Sequence, residues 1–299
     1  MEYEYQVTVL TPAYNRAKLV KRLYKSLIAQ TDENFQWLII DDGSTDSTEK
    51  EISKFSGHKF QLDYYKKKNG GKHTALNFSH PYIKGKYTII VDSDDWLLPD
   101  AISTIKKYWT KYSKYQNVKV IVFQKGEETI KGIVPLTNIP DKPFITNPTA
   151  FQANGDSAEV IDSDVFKTVV FPVFEGEKFL GEGYLWNNVG YLYDYLYIKK
   201  VIYVCEYLED GLTKSGRILR LKCPNGGMVN SNSFFGGEKG RKMNKRTLRK
   251  EAWLFVCYGK FAGLKKAEII SRCDNHSIVK KNYFFGILLY KYWKVKYKL

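Results

Sequence analysis

Asp92-Ser93-Asp94-Asp95 places three carboxylates within four residues, directly after the apolar run Tyr87 to Val91. Like charges so close repel one another unless a cation lies among them. Carboxylate oxygens suit hard ions such as Mg2+ or Mn2+, whose coordination is usually completed by substrate phosphates and water. A second acidic pair, Asp41-Asp42, follows Trp37-Leu38-Ile39-Ile40, and Thr11-Pro12-Ala13-Tyr14-Asn15-Arg16 ends the Val-rich stretch that starts at Gln6. Taken alone, the 92–95 stretch reads as well as an acidic turn in which Asp95 favours the start of a following helix electrostatically. The first turn has no Gly-x-Gly-x-x-Gly fingerprint, which argues against a dinucleotide-binding domain. The four histidines form no cluster, and His73 reads as a loop histidine. Cys205, Cys223, Cys257 and Cys273 are widely spaced without a Cys-x-x-Cys pair, which fits reduced thiols better than a zinc site or a disulfide frame.

These acids can act together only if a fold carries them to one rim. Strand-like segments are expected at Gln6 to Thr11, Trp37 to Ile40, Leu62 to Tyr65, Tyr87 to Val91 and Val118 to Phe123. Between them, Leu19, Val20, Leu23, Leu27 and Ile28 recur at helical spacing, Ser47 is placed to cap a second helix, and a short helix is expected around Ala75 to Phe78. Pro99 opens another helix reaching about Tyr112. Strands alternating with helices predict an α/β fold with a mostly parallel sheet and helices on both faces. In such sheets ligands bind at the carboxyl ends of the strands, where the acidic segments fall. Residues 126–180 are broken by five prolines and read as loops and extra strands laid over one sheet edge. From Thr247 the pattern is helical and aromatic. The expected division is a catalytic part over 1–210 and a basic helical part over 211–299.

Val9-Leu10-Thr11-Pro12-Ala13-Tyr14-Asn15, Ile40-Asp41-Asp42-Gly43-Ser44-Thr45-Asp46, Asn69-Gly70-Gly71-Lys72-His73-Thr74-Ala75-Leu76-Asn77 and Val91-Asp92-Ser93-Asp94-Asp95 occur in this order within about 110 residues. Together they resemble glycosyltransferase family 2, of the bacterial surface-polysaccharide type. The resemblance implies a GT-A fold, which is Rossmann-like, with a nucleotide-sugar donor, Mn2+ or Mg2+, and inversion at the anomeric carbon. It implies that Tyr14 lies beside the nucleobase while the backbone at Thr11 and Pro12 approaches the base edge. Asp42 would accept the uracil N3–H, favouring a UDP-sugar, with Asp41 supporting the loop. Asn69, Gly71 and Ser93 count among the donor-binding positions. Asp92 would contact ribose or metal-bound water, Asp94 would ligate the metal, and Asp95 would assist. Lys72 would neutralise phosphate or support the donor loop, or else be a solvated lysine after Lys66-Lys67-Lys68. An inverting transfer needs a base for the acceptor hydroxyl. The resemblance points to Glu182 in Gly181-Glu182-Gly183-Tyr184-Leu185-Trp186, where many relatives carry Glu-Asp rather than Glu-Gly; Glu175 and Glu177 compete. Trp186 is an acceptor platform or plain core. Tyr207 to Ser215 is similar to a loop closing over the donor, with glycines 211, 216, 226 and 227 permitting movement and Lys214 or Arg217 reaching the diphosphate.

The net charge of +15 is not spread evenly. Residues 211–299 hold 21 Lys and Arg against 4 acids, a net of +17, which leaves −2 for residues 1–210. Such a split calls for an electrostatic partner, either nucleic acid or an anionic membrane. The tail from Lys280 to Lys298 mixes lysine with Tyr, Trp and Phe. Drawn as a helix, Lys280, Lys291, Lys294 and Lys298 share a ~60° sector, with Tyr290, Trp293 and Tyr297 on one flank and Phe285, Leu289 and Tyr292 on the other. That mixture suits the headgroup layer of an anionic bilayer; the alternative is aromatics packed on the domain beside solvated lysines. Gly286 weakens the helix there. Lys239, Arg241, Lys242, Lys245, Arg246, Arg249 and Lys250 form a second basic run. The acidic start, Met1 to Tyr5, lacks a secretion signal, and the longest apolar run, Tyr283 to Tyr290, is too short to span a bilayer. The expected protein is therefore a cytoplasmic enzyme, peripheral at the inner face of the cell membrane. It would transfer a hexosyl or N-acetylhexosaminyl group to a lipid-linked or polymeric glycan. A nucleic-acid-binding protein is the first competitor, opposed by an acidic rim that repels phosphate without a metal. An inactive membrane scaffold is the second, opposed by intact Asp92, Asp94 and Glu182.

Overall fold

The computed structural model describes residues 2–148, 155–206, 212–235 and 244–299, with 212–215 described by backbone alone. The chain divides into two units interleaved in sequence. One comprises Met1–Asn147, Phe151–Val170 and Tyr193–Glu206; the other comprises Pro148–Ala150, Phe171–Leu192 and Tyr207–Leu299. Residues 171–192, which include Glu182, thus group with the basic C-terminal region rather than with the acidic motifs.

The first unit begins with β1 (Tyr5–Ala13), α1 (Val20–Ile28), β2 (Gln36–Asp41), α2 (Thr48–Ile52), β3 (Gln61–Lys66), α3 (Lys72–Ser79) and β4 (Gly85–Ile90). It continues through β5 (Trp96–Leu97), α4 (Ala101–Lys111), β6 (Val118–Thr129), β7 (Gly132–Pro135), β8 (Phe144–Thr146), β9 (Ser157–Asp162) and α5 (Ser163–Thr168). The main sheet path is β3-β2-β1-β4-β9-β6-β10-β5, where β10 is Asp194–Cys205. β1 pairs in parallel with β2 and β4, and β2 with β3, as helical crossovers require. Val7, Val9, Leu10, Leu38 and Ile39 are fully buried, so the central strands read as continuous apolar runs rather than alternating ones.

Two local expectations are corrected. Residues 126–180 do not merely lie over an edge. β9 enters the middle of the sheet, antiparallel to both β4 and β6, because Ala158, Val160 and Ile161 bury there. β7 and β8 alone pair off the main path. Ser47 makes no side-chain cap on α2; instead Asp46 Oδ1 accepts the Thr48 N–H (2.9 Å) and Asp46 Oδ2 the Ala17 N–H (3.2 Å). Burial pushes the Asp46 carboxyl up, but these hydrogen bonds outweigh it and hold the group below its ordinary range.

The second unit contains α6 (Gly183–Leu192), α7 (Leu212–Lys222), α8 (Pro224–Asn232), α9 (Lys245–Phe261), α10 (Lys266–Ser271) and α11 (His276–Tyr297). Its core is built from Met228, Phe255, Val256, Ile269, Val279 and Trp293. Gly286 has a packing reason: a Cβ there would lie 2.5 Å from Val256 Cβ, so glycine lets α11 approach α9 closely. All four cysteines are buried and unpaired. No helix among the described residues is long and apolar enough to cross a membrane.

Candidate active site at the acidic strand ends

Backbone pairing carries the acidic segments of the first unit to one rim. Ala13 lies opposite Asp41 in β2, and Leu10 opposite Ile90 in β4. The ladders run on into the motifs, since the Asp42 N–H donates to Ala13 O (2.8 Å) and the Val91 N–H to Leu10 O (2.9 Å). Three parallel strands therefore deliver Tyr14, Asp42 and Asp92 at their carboxyl ends. Asn15 ties two of these segments together: its side-chain oxygen accepts the Thr45 N–H (2.8 Å), and its own N–H donates to Ser44 Oγ (2.9 Å). It does so at φ +53°, a left-handed conformation that Asn tolerates better than most residues.

Asp42 is buried and accepts four hydrogen bonds. Lys67 Nζ (2.6 Å) and the Gly70 N–H (3.0 Å) reach Oδ1; the Gly71 N–H (2.7 Å) and Asn69 Nδ2 (3.1 Å) reach Oδ2. A carboxylate offers about four lone-pair positions, so the chain itself fills them all. Lys67 in turn donates to Lys68 O and Thr74 Oγ1, both at 2.7 Å. Lys67, which the sequence presents within a run of lysines, is thus the inward-turned cation of a polar cage that shapes the Asn69-Gly70-Gly71 turn. For Asp42 to accept a base N3–H, one of those donors must move aside. Asp41, also buried, braces the neighbouring loop by accepting the Ser44 N–H and the Tyr64 hydroxyl, each at 2.7 Å. Gly43 sits at φ +78°, and a Cβ there would lie 2.7 Å from the Asn69 nitrogen.

The 92–95 loop is held from several directions. Lys72, the first residue of α3, pairs with Asp92 Oδ1 and so is not a solvated lysine. The Tyr203 hydroxyl accepts the Asp92 N–H (3.0 Å) and donates to Asp95 Oδ2 (2.6 Å). Asp95 Oδ1 also accepts the Glu206 N–H (3.2 Å), so this carboxylate is taken by β10 and the residue after it rather than serving α4, whose N-cap is Asp100. Arg22 donates to Asp94 O, pairs with Glu206 (2.5 Å) and lies 4.3 Å from the centre of the Trp96 ring. Arg16 Nε lies 4.0 Å from Asp94 Oδ2. Tyr203, Arg22 and Lys67 carry no motif signal; their roles come from contacts across 25 to 111 positions of sequence.

The three acids differ electrically. Burial pushes Asp92 up, but Lys72, Lys125 and Arg16 outweigh it and hold the carboxyl below its ordinary range. Asp94 is pushed up by burial and by the Asp92 charge, with partial relief from Arg16 and Lys72. Asp95 is pushed up to about 7 by burial and Asp92, against the Tyr203 hydrogen bond. Asp94 is therefore a half-buried oxygen donor short of positive charge, which fits a hard divalent cation. No group of three or more His, Cys, Asp or Glu among the described residues could enclose an ion. A cation at Asp94 would need further oxygens of the kind phosphates supply.

Other expected donor residues occupy the same rim. Thr11 and Pro12 are buried, Thr11 Oγ1 accepting from Trp37 Nε1 (3.0 Å), while Tyr14 stays 45% exposed. Ser93 is buried, and Asn69 and Gly71 are half-buried in the turn that Asp42 holds.

In the second unit, Glu182 is half-buried immediately before α6, and its carbonyl accepts the Trp186 N–H (3.2 Å). Trp186 is half-buried as well. Glu177 is buried at the start of α8, where its carboxylate accepts the Asn225 N–H (2.9 Å), Asn225 Nδ2 (2.8 Å) and the Gly226 N–H (2.8 Å). Those bonds tie Glu177 to a helix end, where a carboxylate also meets the positive end of the dipole. Glu175 is exposed. Gly226 and Gly227 lie within α8 with Phe179 O and the Tyr258 ring against them, which makes them packing glycines rather than hinges. Arg217 lies 4.4 Å from the centre of the Trp293 ring. Of the expected closing loop, 207–211 lie outside the described residues and 212–215 open α7; Lys239, Arg241 and Lys242 and the side chain of Lys214 are likewise outside them.

A family model described as "Glycosyl transferase family 2" matches residues 8–158. A glycosyltransferase, GlyA, from Streptococcus pneumoniae is 32% identical over 107 residues, 36% of this chain and 15% of that one. Chondroitin synthase from Pasteurella multocida is 37% identical over 105 residues, 35% of this chain and 11% of that one. The matches thus span a small part of those relatives. Among solved structures, S. aureus TarS 1-349 in complex with UDP-GlcNAc superposes with a TM-score of 0.66 at 15% identity, covering 97% of this chain and 92% of that one. The mannosyltransferase PcManGT from Pyrobaculum calidifontis, in complex with GDP-Man and Mn2+, gives a TM-score of 0.57 at 16% identity, over 98% and 84%. At such identities the structural likeness concerns the fold.

Proposed function

Because the chain belongs to glycosyl transferase family 2 and has the GT-A fold, we propose that it is an inverting, metal-dependent transferase. It moves a hexosyl or N-acetylhexosaminyl group from a UDP-sugar to a lipid-linked or polymeric glycan in cell-surface polysaccharide synthesis, at the cytoplasmic face of a membrane. The observation that carries this reading is the loop at the carboxyl end of β4, where Asp94 is half-buried and charge-poor while Asp92 is neutralised by Lys72. Asp94 would offer an oxygen to a divalent cation, whose remaining positions the donor's phosphates would fill.

The motif resemblance and the chemistry of the rim support these roles. Asp94 is the proposed metal ligand, with Asp92, held by Lys72, contacting ribose or the ion's water. A bound divalent cation supplies Lewis-acid neutralisation of the charge developing on the departing diphosphate. Tyr14, exposed on the rim, would offer its ring to the base, with the Asn69-Gly71 turn held by Asp42 contributing to donor binding. Glu182 takes the proton from the acceptor hydroxyl as that oxygen bonds to the anomeric carbon and the bond to the diphosphate breaks. The relatives support a nucleotide-sugar donor but divide between UDP-GlcNAc and GDP-Man.

The test is nucleotide release from UDP-, GDP- and dTDP-sugars with Mn2+, with Mg2+ and in excess chelator. Release is expected from a UDP-sugar alone and only with metal; undiminished release in chelator would sink the metal assignment. Glu182→Gln is expected to retain donor binding in calorimetry and lose transfer by at least about a hundredfold. An active Glu182→Gln enzyme moves the base elsewhere.

A further inference from the structure

α11 has two apolar faces. The first is buried: Val279, Asn282, Gly286 and Trp293 pack inward, the Trp253 indole donates to Asn282 Oδ1 (2.9 Å), and Phe261 meets Tyr290 edge-on. Trp293, which the sequence leaves open as an interfacial residue, is core. At about 100° per residue, Phe284, Leu288 and Val295 fall within about 40° of one another, on the side opposite Gly286 and Trp293. They are 65%, 46% and 81% exposed, and Tyr292 beside them is 57% exposed. Side chains of this size facing solvent in a row at helical spacing form a second seam that nothing among the described residues covers.

The charges around that seam select its occupant. Lys280, Lys281, Lys291, Lys294 and Lys296 on α11 are all exposed, and residues 275–299 contain no acid. Lys280 and Lys291 flank the seam on one side and Lys281 on the other. Contacts of Trp253 with Asn282, Val256 with Gly286, and Phe261 with Tyr290 advance together, so α9 runs parallel to α11. Lys245, Arg246, Arg249 and Lys250 at the start of α9 therefore lie toward the Lys280 end. A nucleic acid or an anionic polymer would answer the lysines but leave Phe284, Leu288 and Val295 in water. An anionic bilayer answers both, taking the apolar seam among the acyl chains and the ammonium groups among the headgroup phosphates.

We infer that the outward face of α11 is a membrane-docking surface: Phe284, Leu288, Tyr292 and Val295 insert into the interfacial layer of an anionic bilayer, with the flanking lysines on the headgroups. This rests on the membrane setting proposed above and not on the transfer chemistry. The helix lies along the surface, because a basic helix with a strip of this width has no apolar circumference with which to span.

The test is co-sedimentation of the whole chain with vesicles of phosphatidylcholine, with and without about a third phosphatidylglycerol. Binding is expected to the anionic vesicles, weakening with salt. Phe284→Gln/Leu288→Gln/Val295→Gln is expected to lower it roughly a thousandfold, since each inserted large apolar side chain contributes about tenfold or more. The replaced residues are exposed and glutamine favours helix, so the thermal melt is expected to be unchanged. UDP release from the soluble donor, followed in parallel, is expected to be equal in both proteins. Failure of the unaltered chain to bind anionic vesicles while it still releases UDP overturns the docking surface and leaves the transferase reading standing. Equal vesicle binding by the triple variant overturns it too, as does concentration-dependent self-association that the variant abolishes, which would assign the face to a second copy.

Discussion

Asp42→Asn separates a structural carboxylate from one that reads the donor. The wild-type group accepts from Lys67 Nζ, Asn69 Nδ2 and two backbone N–H groups in a buried setting. Asparagine keeps one acceptor oxygen and turns the other into an NH2 that faces donors. Two hydrogen bonds to a charged group are lost, at about 1.5–3 kcal/mol each. Lys67, only 14% exposed in its side chain, is left without its counter-charge. Breaking a buried ion pair from one side costs about 3–5 kcal/mol, and we expect a loss in that range. At about 2–4 °C per kcal/mol for a domain of this size, the melting temperature of the first unit falls by about 10 °C. Thermal unfolding paired with calorimetric titration of UDP checks this. The expected result is a lower melt together with weaker UDP binding, because the Asn69-Gly71 turn loosens. A normal melt with abolished UDP binding would refute the reasoning and make Asp42 a direct reader of the base.

Tyr203→Phe removes the hydroxyl that joins the Asp92 N–H to the Asp95 carboxylate. The loss of about 1.5–3 kcal/mol from a buried bond to a charge is expected to raise the Mn2+ concentration needed for half-maximal activity about tenfold, with the donor KM changed less; an unchanged metal requirement would show that the loop holds itself. Glu251 is buried in α9 with Ser231 Oγ at 3.0 Å, and burial raises its pKa above the ordinary 4.5. Such a group contributes fully to stability below the ordinary value, and the contribution is lost as pH rises through the raised one. Glu251→Gln is accordingly expected to melt higher than wild type at pH 7 and equally near pH 4. Gly286→Leu drives side-chain atoms into Val256 and is expected to destabilise the second unit by at least about 1–3 kcal/mol in chemical denaturation, while Gly286→Ala loses less because alanine recovers about 1 kcal/mol of helix propensity.

Much of this protein is written locally. The apolar runs ending in Ala13, Asp41 and Val91 are legible because a buried parallel strand needs no partner information to look apolar, and the acids at their ends are legible as motifs. β9 is not, because Ser157–Asp162 is as short and mixed as many loops, and only the space between β4 and β6 makes it a central strand. The hydrogen bonding of Glu177 is equally closed to inspection, because its partners Asn225 and Gly226 lie 48 and 49 positions on. Lys67 could not be told from its neighbours Lys66 and Lys68 until the fold turned one ammonium inward onto Asp42. The same holds for α11, where a helical wheel groups Lys280, Lys291 and Lys294 but wrongly adds Lys298, which caps the helix in the left-handed region, and cannot say which aromatic flank is core. Residue type and spacing decide which atoms a segment offers, since those follow from covalent structure and period. Which atoms are satisfied is decided by long-range packing, because burial, and the hydrogen bonds that burial makes obligatory, exist only once distant segments meet.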